Sequence, residues 1–574
     1  MHYKLIKTLG LGALGLTLAL SSCTDKVGDN EFDNINNGST SQKAATVETA
    51  VGLLKGAMPL LHDSREHKYQ YQFNLHIDNY SGYLVVANSL QGRLPRTYSP
   101  NAGFQTGPQA NLLWVAQQVV PVINSAEELK VPEMGAIAAI LYDFMAAEYV
   151  DVHGPMPYKD YRELKSEPPI TYEKVSEVYA QILVSLKKQQ QILKDLSPLS
   201  EEAKARLQEY DLIAGKDVQN WIKFANSLRM RLAMRMVKAA PEQAKAEFES
   251  AVADGALEAT DKDIALLTQG RHPLYTISEN WDDTRLNANF ANLLTRLKHP
   301  ALKEWFTPIP QGFKDKDGQV TVEGNDVFAG MRAGMATYEK EKPIFSDSYK
   351  KFSRVNPSYV TKNVAIFKAS EVQFLLAEGA LRDWSVGGRS AKAYYETGIR
   401  TSFTNEGLSG LVEYVTRKAS ACPQVDYIDY WDSRYNSPAK ENGSEVLGVA
   451  WDNSADKEKQ LEMIITQKYI ANYPLSLESW SEFRRTGYPR MIVNDAGDTG
   501  DGSIPPHSWR APEGKIQPDR FIHRIPFVRT GSVALDDIIN TAMPALTAED
   551  KSIFSGQDYQ AAHLWWDVAG KGNF

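Results

Sequence analysis

Two stretches of the chain combine aromatic rings with short polar side chains. One, His76 to Tyr98, offers Asp78, Asn79, Tyr80 and Tyr83; the other, His272 to Asn287, offers Tyr275, Trp281, Asp283 and Arg285. A sugar presents apolar C–H faces and many hydroxyls, so its site needs exposed rings as platforms and amide, carboxylate or guanidinium groups at their edges. Tyr80, Tyr83, Tyr275 and Trp281 are the platform set this composition predicts, with Asn79, Asp283 and Arg285 as hydrogen-bonding partners. For Trp281 the competing reading is a buried core anchor.

Residues for covalent or metal chemistry form no familiar pattern. The chain contains no G-x-S-x-G nucleophile elbow, no H-E-x-x-H zinc helix and no G-x-x-x-x-G-K-[ST] phosphate loop. Its ten histidines are scattered; outside the leader the closest pair is His62 and His67, whose spacing puts them on different helical faces. Asp495, Asp498 and Asp501 lie in a Gly-rich loop at intervals of three, unlike the alternating acids of an EF-hand. No cofactor and no metal are expected, and the chain reads as a binder, not an enzyme. Two carboxylates suited to glycoside hydrolysis need only meet in space, so a lipid-anchored glycoside hydrolase remains the alternative.

The N-terminus is an address. Lys4 and Lys7 precede an apolar run, Leu9 to Leu20, too short to span a bilayer, and Leu20-Ser21-Ser22-Cys23 has the pattern of a lipoprotein cleavage site. Residues 1–22 are thus a signal peptide and Cys23 the lipidated first residue of the mature chain. Gly10-Leu11-Gly12-Ala13-Leu14-Gly15 matches a dinucleotide fingerprint in letters only, since no strand precedes it and the leader is removed. Only Cys23 and Cys422 exist, so acylating the first leaves no intramolecular disulfide. Residues 23–45, rich in Asn, Asp, Ser and Gly, read as a flexible acidic tether that reaches roughly 60 to 70 Å when extended. A net charge of −8, or −10 once Lys4 and Lys7 are lost, without a basic run argues against nucleic acid.

The elements that must position these residues are helices. With 43% hydrophobic residues and 23% charged, residues 46–574 have no obvious cut point and read as one folded domain. Met134 to Val150 places Ile137, Ile140, Leu141, Phe144 and Met145 on one face. Thr171 is positioned to cap a helix with the stripe Val175, Val178, Tyr179, Ile182, Leu183 and Leu186, and Asp217 to cap one carrying Trp221, Phe224, Leu228 and Leu232. Leu461, Ile464, Ile465 and the stem of Lys468 predict a helix up to Tyr473-Pro474. Ser476 then caps a second one, with Leu477, Trp480 and Phe483, that Gly487 stops. Arg484 and Arg485 fall in its last turn, where the helix dipole favours cations. Ala377, Gly379 and Ala380 are small enough for two helix backbones to approach closely. Residues 255–363 show no sustained period, and a loop region of that length is usually functional.

Several of these runs resemble one family. QKYIANYPLSLESWSEFRRTGYPRM (467–491), WIKFANSLRMRLAMR (221–235) and FKASEVQFLLAEGALRDW (367–384) are similar to signature helices of the SusD/RagB family of nutrient-binding outer-membrane lipoproteins. Weaker likenesses are the Asp151–Tyr158 corner, where Pro155 departs from the family pattern, the segment Asn280–Ala288, and the terminal Leu564-Trp565-Trp566-Asp567. In His299-Pro300-Ala301-Leu302, His299 and Ala301 stand where an acid and an arginine are usual. The resemblance implies a mostly α fold of tetratricopeptide-like helix pairs with large irregular loop insertions. It further implies glycan capture at the cell surface, a SusC-like TonB-dependent transporter as partner, and outer-membrane anchoring through Cys23; peptides or glycopeptides are the alternative nutrients. It places the ligand face in irregular segments of the two aromatic stretches, and suggests that Asp25 and Asp29 belong to an export signal.

Overall fold

The computed structural model describes residues 42–88, 107–165, 167–268, 271–333, 338–339, 342–343, 347–439, 447–491, 522–527, 534–550, 558 and 560–574. The leader, Cys23, nearly all of the tether and the Asp495–Asp501 loop lie outside the described residues.

Twelve longer helices carry the architecture among these residues. They are α1 (Val47–Ala57), α2 (Gly107–Ser125), α3 (Pro132–His153), α4 (Val175–Asp195), α5 (Glu201–Tyr210), α6 (Val218–Arg235), α7 (Pro241–Asp254), α8 (Ala288–Arg296), α9 (Ala369–Leu381), α10 (Ala391–Glu406), α11 (Lys457–Asn472) and α12 (Ser476–Thr486). Successive helices pack in pairs, α2 on α3, α3 on α4, α6 on α7 and α9 on α10, with α4 against α6 and α9 against α11 joining the pairs. This is the tetratricopeptide-like stacking the sequence implies. Each pair buries the apolar stripe that its members cannot bury alone. Gly398 of α10 marks a close approach, since a Cβ there would sit 2.8 Å from ring atoms of Phe374 on α9.

Local chemistry sets the helix starts. Thr46, Ser200, Asp217, Ser390 and Asp456 each accept a backbone N–H from the first turn, satisfying donors that have no partner within the helix. Two expected caps are corrected. The helix expected from Thr171 starts at Val175, and its amides are bound instead by the Glu549 carboxylate, 2.9 Å from Val175 N and 3.2 Å from Ser176 N. In α12 the cap position falls on Leu475 and Ser476 is the first helical residue.

Three helices are more enclosed than their periodicity implies. From Glu133 to His153, α3 is buried on nearly every side, because α2 and α4 cover opposite flanks and α12 crosses it. In α11 and α12 residues 461–486 are all buried, polar ones included. Most of the charge buried there is compensated, because five carboxylates meet five cations. Arg231 binds Glu371 at 2.7 and 2.8 Å, and Arg235 binds Asp151 at 2.6 Å and also Glu478. Lys468, expected to bury only its stem, has its ammonium inside, 2.9 Å from Glu478. Arg485 is bidentate to Glu378 at 2.7 Å and also binds Glu482, and Arg382 reaches Glu378 at 2.8 Å. Burial alone would raise the Glu378 carboxyl, but Arg485 and Arg382 outweigh it and hold it at about 2. Removing one member strands its partner's charge, which costs about 3–5 kcal/mol.

Strands are short and serve the loop region. β1 (Leu84–Val86) pairs antiparallel with β3 (Thr284–Leu286) in the register Leu84↔Leu286, and β2 (Ile264–Leu266) with β6 (Val364–Phe367). The hairpin β4 (Tyr338–Glu339) and β5 (Lys342–Pro343) completes them. A second, smaller apolar cluster sits under the loops, built from Val85, Ala87, Ile309, Phe313, Val322, Ala329, Met331, Tyr349 and Phe352.

Candidate functional site

The β1–β3 pair brings the two aromatic stretches together, as their shared composition suggested, but it buries most of the nominated side chains. Tyr83 is fully buried; its hydroxyl donates to the Tyr469 carbonyl and lies 2.6 Å from Ser479 Oγ, while its ring packs 4.8 Å from Phe290. Tyr80 is 3% exposed and packs 5.3 Å from Trp480, and Asn79 beside it is 2% exposed. These three are corrected from ligand-facing groups to core groups. The helical turn Ile77–Ser81 lies against α12, which covers them.

Asp283 and Arg285 are corrected in the same way. Asp283, 4% exposed, accepts from Gln70 Nε2 at 2.8 Å and from Asn88, and burial raises its carboxyl above the usual range despite those bonds. Arg285 is fully buried and donates to the Lys350 carbonyl at 2.8 Å, the Thr284 carbonyl at 2.7 Å and the Asp282 carboxylate. Asp282, in the left-handed region at φ 61°, also binds Arg354 at 2.8 Å. Together these bonds fix the loop from which Trp281 projects.

Tyr275 and Trp281 keep part of their surface exposed. Both belong to one short helical segment, Pro273–Tyr275 continued by the wider turn Thr276–Asn280, and the Trp281 amide closes it by donating to Thr276 O at 2.9 Å. Trp281 rests on the edge of the main core, so the core-anchor reading and the platform reading are each true of part of the ring.

Three further half-exposed rings were not nominated from the sequence. Tyr430, Trp431 and Tyr435 cap the second apolar cluster. Their loop is rigid. Asp429 accepts the Trp431 and Asp432 amides at 2.9 Å and the Tyr349 hydroxyl at 2.9 Å, Thr321 Oγ1 donates to the Tyr430 carbonyl at 2.8 Å, and the Lys316 amide to the Trp431 carbonyl at 3.0 Å. The cluster they cap includes Ala87, and the next residue, Asn88, donates to the Trp281 and Asp282 carbonyls. The run Asp426–Tyr435 has the ring-plus-carboxylate composition used to nominate the other two stretches, so the signal was present.

An internal cavity lies elsewhere, among His62, Glu148, Asp151, Arg231, Ser476 and Glu478. Its volume of about 30 Å³ holds about two waters, far below the room a sugar needs. His62 is spoken for, its Nε2 2.8 Å from Glu148 and its Nδ1 2.7 Å from the Ala365 carbonyl. The carboxylates grouped near this cavity are held in the ion pairs of α6, α9, α11 and α12.

The fold and the loop face define a helix-pair scaffold that presents aromatic rings from rigid insertions. A family model described as Susd and RagB outer membrane lipoprotein matches residues 29–567, and the chain belongs to this SusD-like family. Among solved structures, a chitin-binding SusD homologue from Flavobacterium johnsoniae is 27% identical with a TM-score of 0.74, covering 91% of this chain and 100% of its own. A SusD homologue from Bacteroides ovatus is 27% identical (TM-score 0.73, 91% and 99% covered), and one from Bacteroides thetaiotaomicron is 25% identical (TM-score 0.74, 90% and 98% covered). No curated protein matches the chain significantly. Among the described residues no helix is long and apolar enough to cross a membrane.

Proposed function

We propose that this chain is a lipid-anchored protein of the outer membrane, facing the cell exterior, that captures a glycan and delivers it unchanged to a TonB-dependent transporter. The observation that carries this reading is the set of rings held half-exposed on hydrogen-bonded loops of a SusD-like scaffold: Tyr275 and Trp281 from the nominated stretches, and Tyr430, Trp431 and Tyr435 from a third loop. Rigid, partly exposed rings are what a sugar's apolar face stacks on, and fixing them in advance spares the entropy of ordering them on binding. Asp283 and Arg285 hold the Trp281 loop in place from behind. The chitin-binding homologue supports an oligosaccharide as ligand, and the Cys23 leader pattern supports the anchor.

Calorimetric titration of the mature protein with a glycan panel, chitin oligosaccharides included, beside peptides and glycopeptides, tests the reading. Glycan binding is expected, with Trp281→Ala weakening it by about 1–3 kcal/mol, the scale of one lost stacking platform. Binding confined to peptides overturns the ligand class. Reducing-end release that copurifies with the protein and disappears on mutating one carboxylate establishes the hydrolase instead. For the transporter, affinity purification from gently solubilised membranes is expected to recover a TonB-dependent barrel, and recovery of the free lipoprotein alone overturns delivery.

A further inference from the structure

Two histidines forty residues apart in the sequence meet in the fold. His523 lies in the segment 522–527 and His563 in the C-terminal segment 560–574; their rings stack with centroids 3.7 Å apart and planes 23° apart. Both direct Nδ1 at Asp567. His523 Nδ1 lies 2.5 Å from Asp567 Oδ2, and His563 Nδ1 lies 3.3 Å from Oδ1 and 2.9 Å from the Asp567 carbonyl oxygen. One ligand atom from each residue falls within 4.8 Å of the other two, and all three side chains are largely buried.

We propose that His523, His563 and Asp567 form a binding site for a divalent transition metal of the zinc class, tying the 522–527 segment to the C-terminal segment. Zinc takes imidazole nitrogen at about 2.0–2.1 Å and carboxylate oxygen at about 2.0–2.2 Å, which sets tetrahedral ligand atoms roughly 3.3 Å apart. The His563–Asp567 separation already has that value. His523 has to withdraw by less than about 1 Å, and the two rings have to splay out of their stack to converge on one ion. Two imidazoles and one carboxylate suit zinc, cobalt or nickel and leave a fourth position for water, whereas magnesium and calcium want oxygen ligands throughout.

The backbone around the site is held from outside it. The Arg484 guanidinium donates to the His523 carbonyl at 2.7 Å, the His523 amide to Gln560 O at 2.7 Å, the His563 amide to Asp550 Oδ1 at 3.3 Å, and the Asp567 amide to Leu564 O at 2.9 Å. Arg484 sets a limit on affinity. Its charge, seated on the Trp480 ring at 3.6 Å and near Trp566 at 4.8 Å, lies close enough to oppose a cation, so binding is expected in the micromolar range and not the nanomolar.

The mature chain, stripped with chelator, is titrated with zinc chloride by calorimetry and with cobalt chloride by visible absorption. One equivalent of zinc, intense d–d bands of tetrahedral cobalt and a zinc-dependent rise in melting temperature are expected. His563→Gln and the double variant His523→Gln/His563→Gln should lose about tenfold or more in affinity and lose the rise, while His67→Gln, an exposed histidine away from the site, keeps both. Near-UV circular dichroism of the metal-free variants reports whether they fold. Failure of the parent chain to take up one equivalent overturns the proposal without any variant, and so does uptake that the folded double variant retains.

Discussion

At the scale of single residues, Tyr83 separates structural aromatics from functional ones. Its hydroxyl serves two buried groups, the Tyr469 carbonyl and Ser479. Tyr83→Phe should therefore lower stability by about 1–3 kcal/mol, the cost of leaving buried groups unserved, while glycan affinity stays unchanged. A denaturation curve beside a titration checks this, and lost affinity at unchanged stability would return Tyr83 to the site. Asp143 gives a pH signature. Desolvation raises its carboxyl to about 7, although the Tyr158 hydroxyl donates to it at 2.6 Å. A folded-state value above the unfolded 3.8 means the associated stability is full below about pH 4 and is lost as pH rises toward 7. Asp143→Asn, which cannot ionise, should gain on the parent by up to a few kcal/mol at pH 8 and differ little at pH 4. Melting curves at both pH values test it, and an equal difference at both would sink the assignment. The neutral buried histidines His272 and His299, pushed down to about 3 by desolvation, act in the opposite sense, losing their contribution as pH falls from 6.5 toward 3. The parent-minus-variant comparison cancels them.

At the scale of elements, the contact of Phe374 with Gly398 is a quantitative test of helix pairing. Alanine is the better helix former by about 1 kcal/mol, but its Cβ would meet the buried Phe374 ring at 2.8 Å, and overpacking of this kind costs about 1–3 kcal/mol. Gly398→Ala is expected to destabilise on balance, and a raised melting temperature would show that α9 and α10 can part cheaply. Helices were the legible part of the sequence, because a 3.6-residue period is local: Asp217 caps where expected and α6 buries Trp221 and Phe224 as read. What periodicity could not show was the second covered face of α3 or of α11, since polar letters such as Lys468 and Glu478 look solvated until a distant partner of opposite charge is placed beside them. Tyr80 and Tyr83 were misread for the same reason. Composition identifies a ring that suits a sugar, but the helix that lies over it, α12, is some four hundred residues away. His523, His563 and Asp567 show the converse, a cluster that exists only after folding.

At the scale of the molecule, the proposed anchor is tested apart from the scaffold. On that proposal Cys23→Ala should move the protein from the membrane fraction to the soluble one with an unchanged melting temperature, because Cys23 alone would carry the acyl chains, and the chain joins the described core only from Ala44, whose amide donates to the Pro121 carbonyl at 3.2 Å. Cell fractionation decides it, and a variant that still pellets with outer membranes is held by its partner or by another anchor. The Glu549 cap on α4 carries a consequence for the order of events. The carboxylate that closes the start of this helix is 374 residues downstream of Val175, so a ribosome or an export channel releases α4 long before its cap exists. The Val175 and Ser176 amides must wait for nearly the whole chain before they gain this partner, and contacts between such distant parts of a sequence form late in folding. A nascent chain cut short of Glu549 would leave those two amides of α4 unserved, a mark by which a protease could tell an unfinished copy from a finished one.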